Sequence, residues 1–233
     1  MTLTLYTYEW LPEFPRGFVR DIRVRWAAEE LGLPYQIATV PVYPKTDAHR
    51  DMQPFGQVPM IVDDDLTLFE SGAIVLHLAE NTDLLPADQR AQIAQWLIAA
   101  LNSVEPVISA WTLTRLAGRM PQIFGPPSSP EVVEHLRKNM DGRLAALERI
   151  LAGRNWIAGE FSAADILLAD TLRVAAAEDA LTDYPALTAY VDRATARPAF
   201  QRAMADHMAH WTAADAARAT PTNPKEKQDE LSR

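Results

Sequence analysis

The chain has 233 residues, 48% of them hydrophobic, and 22 Lys and Arg stand against 31 Asp and Glu for a formal net charge of −9. That length and apolar content suit one large or two modest globular domains with a real core. An acidic balance without a basic cluster excludes a nucleic-acid surface. Cysteine is absent, which excludes disulfides, thiolate metal ligands and a thiol nucleophile of the protein's own, so any sulfur chemistry must come with a ligand.

His49, His77, His135, His207 and His210 are scattered without a ligand-pair spacing, so no metal is expected. No run of about 18 apolar residues suggests a membrane span, and MTLTLYTYEW lacks the basic and apolar regions of a signal peptide. The expectation is a cytoplasmic protein with no membrane partner.

In chain order, LTLYTY at residues 3 to 8 reads as a strand, rich in β-branched and aromatic residues. FVRDIRVRWAAEELG follows the loop EWLPEFPRG; Phe18, Ile22 and Trp26 recur every four residues and Gly32 supplies a stop, which predicts an amphipathic helix. YQIATVPV reads as a second strand, VPMIVDD and LTLF as a hairpin, and Ser71 as the start of a helix over ESGAIVLHLAEN. The order is β-α-β, then β-β-α.

From Pro86 onward every periodic segment reads as helix, so the predicted organisation is one domain over 1–85, an all-helical domain over 88–212 and a flexible tail over 213–233. Pro106 should kink or end the first of these helices. Ser129 and Pro130 are an N-cap and first helical residue, and Ser162 with Asp165 makes a capping box. Further helices should start at Pro185 and Pro198. The tail is predicted from its lack of an apolar period after Thr212.

The stretch QPFGQVPMIVDDDLTLFESGAIVLHLAE, residues 53 to 80, resembles the glutathione-binding half of the glutathione transferase family. GEFSAADILLADTL is similar to the capping-box segment of that family's helical domain, and YPALTAYVDRATARPAFQRAMA to the penultimate helix and Arg-Pro-Ala-Phe turn of bacterial members. The resemblance spans about residues 3 to 210. It implies an α/β thioredoxin-like N-terminal domain, an all-α C-terminal domain and a homodimer, for which the apolar helix around Trp96 and Leu97 is the candidate surface.

It also implies site residues. Val58, preceded by Gln57 and followed by a cis Pro59, would pair with the cysteinyl backbone of glutathione. Glu70 would take the γ-glutamyl ammonium and Ser71 the γ-glutamyl carboxylate, with a helix N-terminus behind it. Lys45, His49 and Arg50 lie where family members keep a cation for the glycine carboxylate, and His49 is the one chosen. Trp10, Trp111, Met120, Phe124 and Arg173 are candidates for the pocket of a small hydrophobic electrophile.

The sequence departs from the family at the sulfur. Most members place a Tyr, Ser or Cys near the end of the first strand, whereas the first serine here is Ser71. Aligning from the strand puts Leu11 or a neighbour in that place; aligning back from Arg23-Val24-Arg25 puts Phe18 there. The candidates for activating the thiol are therefore Arg20 and Arg16 with helix N–H groups, Phe18 packing on the sulfur, and Tyr8 as a remaining hydroxyl. The expected function is a glutathione transferase. The alternatives are a glutathione-dependent peroxidase, reductase or ether-cleaving enzyme on the same scaffold, or a non-catalytic interaction module.

Overall fold

A computed structural model describes residues 3–219. The N-terminal half comprises β1 (Leu3–Tyr8), α1 (Asp21–Leu31), β2 (Tyr35–Val40), α2 (Asp47–Met52), β3 (Met60–Asp63), β4 (Leu66–Phe69) and α3 (Ser71–Ala79). The sheet order is β2-β1-β3-β4, with β1 parallel to β2 and the β3 pairings antiparallel. Strand alternation sends Leu3, Leu5 and Thr7 inward, so Leu5, with Ile37 and Ile61 as its cross-strand neighbours, meets Val24 and Ile74 in a small core. This is the thioredoxin-like arrangement.

Two local readings change. A six-residue helix, α2, fills the polar segment before QPFGQVP, because the Thr46 side chain accepts a hydrogen bond from the His49 amide and caps it. Helix α1 begins at Asp21, later than the periodicity from Phe18 suggests. The chain before it is folded into tight turns, Arg16 N–H to Glu13 O, Phe18 N–H to Pro15 O and Ile22 N–H to Val19 O. Gly17 takes φ +85° between them, a conformation that excludes a regular helix. Phe18 and Arg16 thus lie in a loop, and Arg20 is the N-cap residue.

The helical half comprises α4 (Arg90–Ala99), α5 (Glu105–Arg119), α6 (Pro121–Phe124), α7 (Pro130–Leu151), α8 (Ala163–Ala176), α9 (Pro185–Thr195) and α10 (Pro198–Ala219). Pro106 neither ends nor separates α4 and α5. A π-helical turn at Ala100–Val104 joins them, and the proline, which has no N–H to donate, sits in the first turn beyond it. The resulting stretch Arg90–Arg119 is long and apolar enough to cross a membrane by length and composition. Its stripe of Ile93, Leu97, Ala100, Val104 and Ile108 instead joins the main hydrophobic core. Leu97 is buried there and Trp96 packs against the same core, so they do not form the outward apolar face expected for a second subunit.

Helix α8 is buried along almost its whole length. Its capping box is present, and Asp165 also accepts from the Ile157 amide and the Tyr190 hydroxyl, tying α8 to α9. The two halves meet closely at Gly72 in α3: a Cβ there would lie 2.5 Å from a methyl of Leu101. Helix α10 continues past Thr212 to Ala219, which corrects the reading of a tail from 213; residues 220–233 lie outside the described residues.

Candidate functional site

A cleft runs between the halves in two joined parts. The inner part, about 450 Å³, is walled by Tyr8, Arg20, Arg23, Gln57, Val58, Glu105, Ser109 and Asp170. The outer part, about 560 Å³, is walled by Phe14, Thr112, Met120 and Ala177, with Arg119 and Glu178 paired at its edge. Pro15, Phe18, Leu116 and Val174 line both parts. The inner part therefore sets two arginines and their two carboxylate partners among apolar side chains, whereas the outer part is more uniformly apolar.

The sheet-side wall is set by local backbone. The Val58-Pro59 bond is cis, as the resemblance implied, and Val58 lines the cleft beside Gln57. Gln57 is fixed by its own peptide: its N–H donates to Gln53 Oε1 at 3.2 Å, and its carbonyl lies 2.9 Å from His49 Nε2. His49 is 1% exposed, so it braces this loop and cannot present a cation to a ligand, which corrects its assignment. Lys45 is the cation that reaches the cleft wall, with Nζ 3.2 Å from the Tyr8 hydroxyl and 4.5 Å from the ring centre.

Glu70 heads α3 with φ +68°, a left-handed conformation uncommon for a residue with a side chain. Backbone strain of this kind persists where the surroundings enforce it and concentrates at ligand sites. Its carboxylate is exposed and has no partner among the described residues. Ser71 is buried, and its hydroxyl accepts from Arg23 Nη1 at 3.2 Å, which leaves its own proton free to donate.

Arg23 is the centre of a buried ion network. Its Nε donates to Asp170 at 2.7 Å and its Nη2 to Glu105 at 2.8 Å, while Arg20 reaches the same Glu105 oxygen at 3.0 Å. Burial works to lower the pKa of the Arg23 guanidinium, but the carboxylates of Asp170 and Glu105 outweigh it and hold the charge. Asp170 in turn binds Arg173, whose Nη2 donates to the Gly17 carbonyl at 3.0 Å and whose guanidinium stacks 5.1 Å from the Phe18 ring centre.

The opposite wall, residues 10 to 20, is held by distant elements. Arg16 bonds Leu11 O and Asp215, and Trp10 Nε1 donates to the same Asp215 at 2.8 Å. His210 Nε2 lies 2.9 Å from the Tyr8 carbonyl, and His207 Nε2 accepts from the Gly17 amide at 3.2 Å.

The structure thus brings Tyr8, Phe18, Arg20, Gln57, Val58 and Met120 to the cleft, with Phe124 edge-on to the lining Phe14 at 6.0 Å. It takes four others elsewhere. Arg16 and Trp10 are used in binding α10. Trp111 is 5% exposed in the main core, between the guanidinium groups of Arg115 and Arg137. Arg173 stands behind Phe18 rather than in the cleft. Arg23, Glu105 and Ser109, which line the inner part, were missed as site residues, and Lys45 was weighed as a cation but passed over for His49. The buried charges had one signal, arginines at positions 23 and 25 inside a helix whose neighbours are all buried. Among the described residues, no three His, Asp or Glu side chains converge as metal ligands.

The family model for the glutathione S-transferase N-terminal domain matches residues 2–80, and that for the C-terminal domain matches residues 108–198. Glutathione S-transferase 3 of Zea mays is 34% identical over 200 residues, covering 79% of this chain and 88% of its own. A crystal structure of a glutathione transferase from Burkholderia graminis, with two glutathione molecules bound per subunit, superposes with a TM-score of 0.72 at 26% identity over 87% of each chain. One from Pseudomonas fluorescens, with two glutathione bound, gives 0.73 at 25% identity over 87% of this chain and 92% of its own. With a thioredoxin-like half, a helical half, a cis-proline edge at the cleft between them and a Glu-Ser helix start whose serine is bonded to the cleft-lining Arg23, and with both family models matched, the chain belongs to the glutathione S-transferase family.

Proposed function

We propose that this enzyme joins the thiolate of glutathione to a small hydrophobic electrophile, with Arg20 as the group that favours the ionised sulfur. The observation that supports it is the division of the cleft: an inner part that carries Arg20 and the Arg23 ion network shares Pro15, Phe18, Leu116 and Val174 with an apolar outer part. Glutathione supplies the sulfur nucleophile when bound. The chain's residues fit that ligand: Glu70 offers an unpartnered carboxylate to an ammonium, Ser71 a free hydroxyl proton to a carboxylate, and Val58 its backbone to an extended peptide. Lys45 takes the place given to His49 as the cation for the remaining carboxylate.

A free thiol near pKa ~8.5 is mostly protonated at neutral pH, and one unit of depression requires about 1.4 kcal/mol of preferential binding to the thiolate. Arg20 is half exposed and lines the inner part. Its charge is shared with Glu105 and backed by Arg23. The outer part, lined by Phe14, Leu116, Met120 and Val174, suits an apolar co-substrate. It offers little to the second tripeptide that a glutathione-dependent reductase reading would place there, since Arg119 is already paired with Glu178. A homodimer belongs to the same reading, with exposed Phe55 and Tyr43 as apolar surface for a second copy to cover; light scattering that returns the 25.9 kDa monomer mass at micromolar concentration overturns it.

Calorimetry of glutathione binding, followed by a conjugation assay with an activated aryl halide, tests the proposal. Saturable binding with turnover is expected. Binding without turnover on any electrophile points to the interaction-module alternative, and no binding removes the reading altogether.

A further inference from the structure

The inner wall of the cleft turns on Gly17, whose peptide is gripped from both sides. Its carbonyl accepts from Arg173 on α8 at 3.0 Å, and its N–H donates to His207 Nε2 on α10 at 3.2 Å. Its φ of +85° admits no other residue without strain. The next residue is Phe18, which lines both parts of the cleft, and Arg20 follows two residues later.

His207 is fully buried, 190 residues away in sequence from Gly17. The direction of its bonds fixes its protonation. A backbone N–H can only donate, so Nε2 carries the lone pair and the proton lies on Nδ1, which donates to Asp21 Oδ2 at 3.2 Å. The Asp21 carboxyl is also bonded to Arg25 Nε at 2.8 Å, and this ion pair fixes the acceptor that holds the imidazole in the tautomer that receives Gly17.

We propose that His207 is a positioning residue for the transfer reaction: through the Gly17 peptide it sets the place of Phe18 at the junction of the two parts of the cleft. This rests on the cleft being the transferase site. The charged groups that reach this cluster are Asp21 and Arg25 from α1, Arg16 from the loop, Arg173 from α8, and Asp206 and His210 on α10 itself. Of these, only Asp21 is bonded to the imidazole.

The test compares His207→Leu, which removes the acceptor, with His207→Gln, whose amide oxygen can accept from Gly17 while its NH2 donates to Asp21. Two readouts are needed: hydrogen exchange of the Gly17 amide in the free protein, and kcat and KM for the electrophile with glutathione saturating. His207→Leu is expected to speed Gly17 exchange and to lower kcat/KM for the electrophile about tenfold, mostly through KM, with glutathione affinity within about twofold of wild type. His207→Gln is expected to restore Gly17 protection and most of kcat/KM. Unchanged Gly17 exchange in His207→Leu, or a kcat/KM in His207→Gln as low as in His207→Leu although Gly17 protection has returned, overturns the proposal. If wild type binds no glutathione the functional reading falls, while the exchange arm, which needs no ligand, still decides whether His207 holds Gly17.

Discussion

The two walls of the cleft are built in different ways. On the sheet side, the lining Gln57 and Val58 and the Glu70-Ser71 helix start, whose serine is bonded to the lining Arg23, come from one short stretch of chain, placed by the β3–β4 hairpin register and the start of α3. On the other side, the loop that carries the lining Leu11, Phe14, Pro15 and Phe18 is anchored through Trp10, Arg16 and Gly17 to Asp215, His207 and Arg173, at sequence separations of 205, 199, 190 and 156 residues. The first wall is as firm as its secondary structure. The second exists only when α8 and α10 are docked, so its position is a property of the whole fold.

The network that joins the walls should show the largest effect. Arg23→Met leaves Asp170 and Glu105 facing each other without the cation between them, and breaking a buried pair of this kind costs about 3–5 kcal/mol. Urea unfolding measures it, and Arg23→Met combined with Asp170→Leu should recover part of the loss. If Arg23→Met is neutral, the walls are independent and the comparison fails.

Glu70→Ala should act on the sheet-side wall alone, weakening glutathione binding about 10- to 100-fold, the range of a lost charge-assisted hydrogen bond. Glu70→Gly sharpens this, since it relieves the positive φ and should stabilise the fold by about 1 kcal/mol while losing the same affinity. Calorimetry and thermal unfolding on both variants separate the two effects.

The smallest effect belongs to the distant wall at low pH. Arg16 and Trp10 depress the Asp215 carboxyl to about 2. A depressed carboxyl contributes above its unfolded value, near 3.9, and loses its contribution as pH falls through the folded one. Contact between Trp10 and α10 should therefore persist at pH 4 and be lost toward pH 2, read from tryptophan emission against a Trp10→Phe control.

The same contrast explains what could be read in the sequence. The alternation of Leu3, Leu5 and Thr7, the turn between β3 and β4, the Ser162–Asp165 capping box and the Glu70-Ser71 start are local patterns, and each is present in the fold. Residues whose role depends on a distant partner were misplaced: Trp111 reads as a pocket aromatic and lies in the core, and Arg16 reads as a helix cation and is taken up by Asp215. His49 is a local miss: it reads as a loop cation and is buried against Gln57, 8 residues on. The stretch from Thr212 has no apolar period, yet its alanines favour helix and α10 uses them. Pro106 reads as a kink or an end of the helix because a π turn just before it, which lets the helix run on, leaves no mark in composition.

If a cation replaces the missing hydroxyl at the sulfur, the ionisation of bound glutathione depends on Arg20 and not on a hydroxyl of the inner cleft. Ultraviolet difference titration of the bound glutathione thiol tests it directly, in wild type and in Arg20→Ala, Tyr8→Phe and Ser109→Ala, the last two removing the other hydroxyls that line the inner cleft. The expected result is a thiol pKa below the free value in wild type, raised by about one unit in Arg20→Ala, a change equivalent to about 1.4 kcal/mol, and little moved in the other two. A pKa unchanged in Arg20→Ala and raised in Tyr8→Phe or Ser109→Ala would contradict the claim and assign the thiol to a hydroxyl.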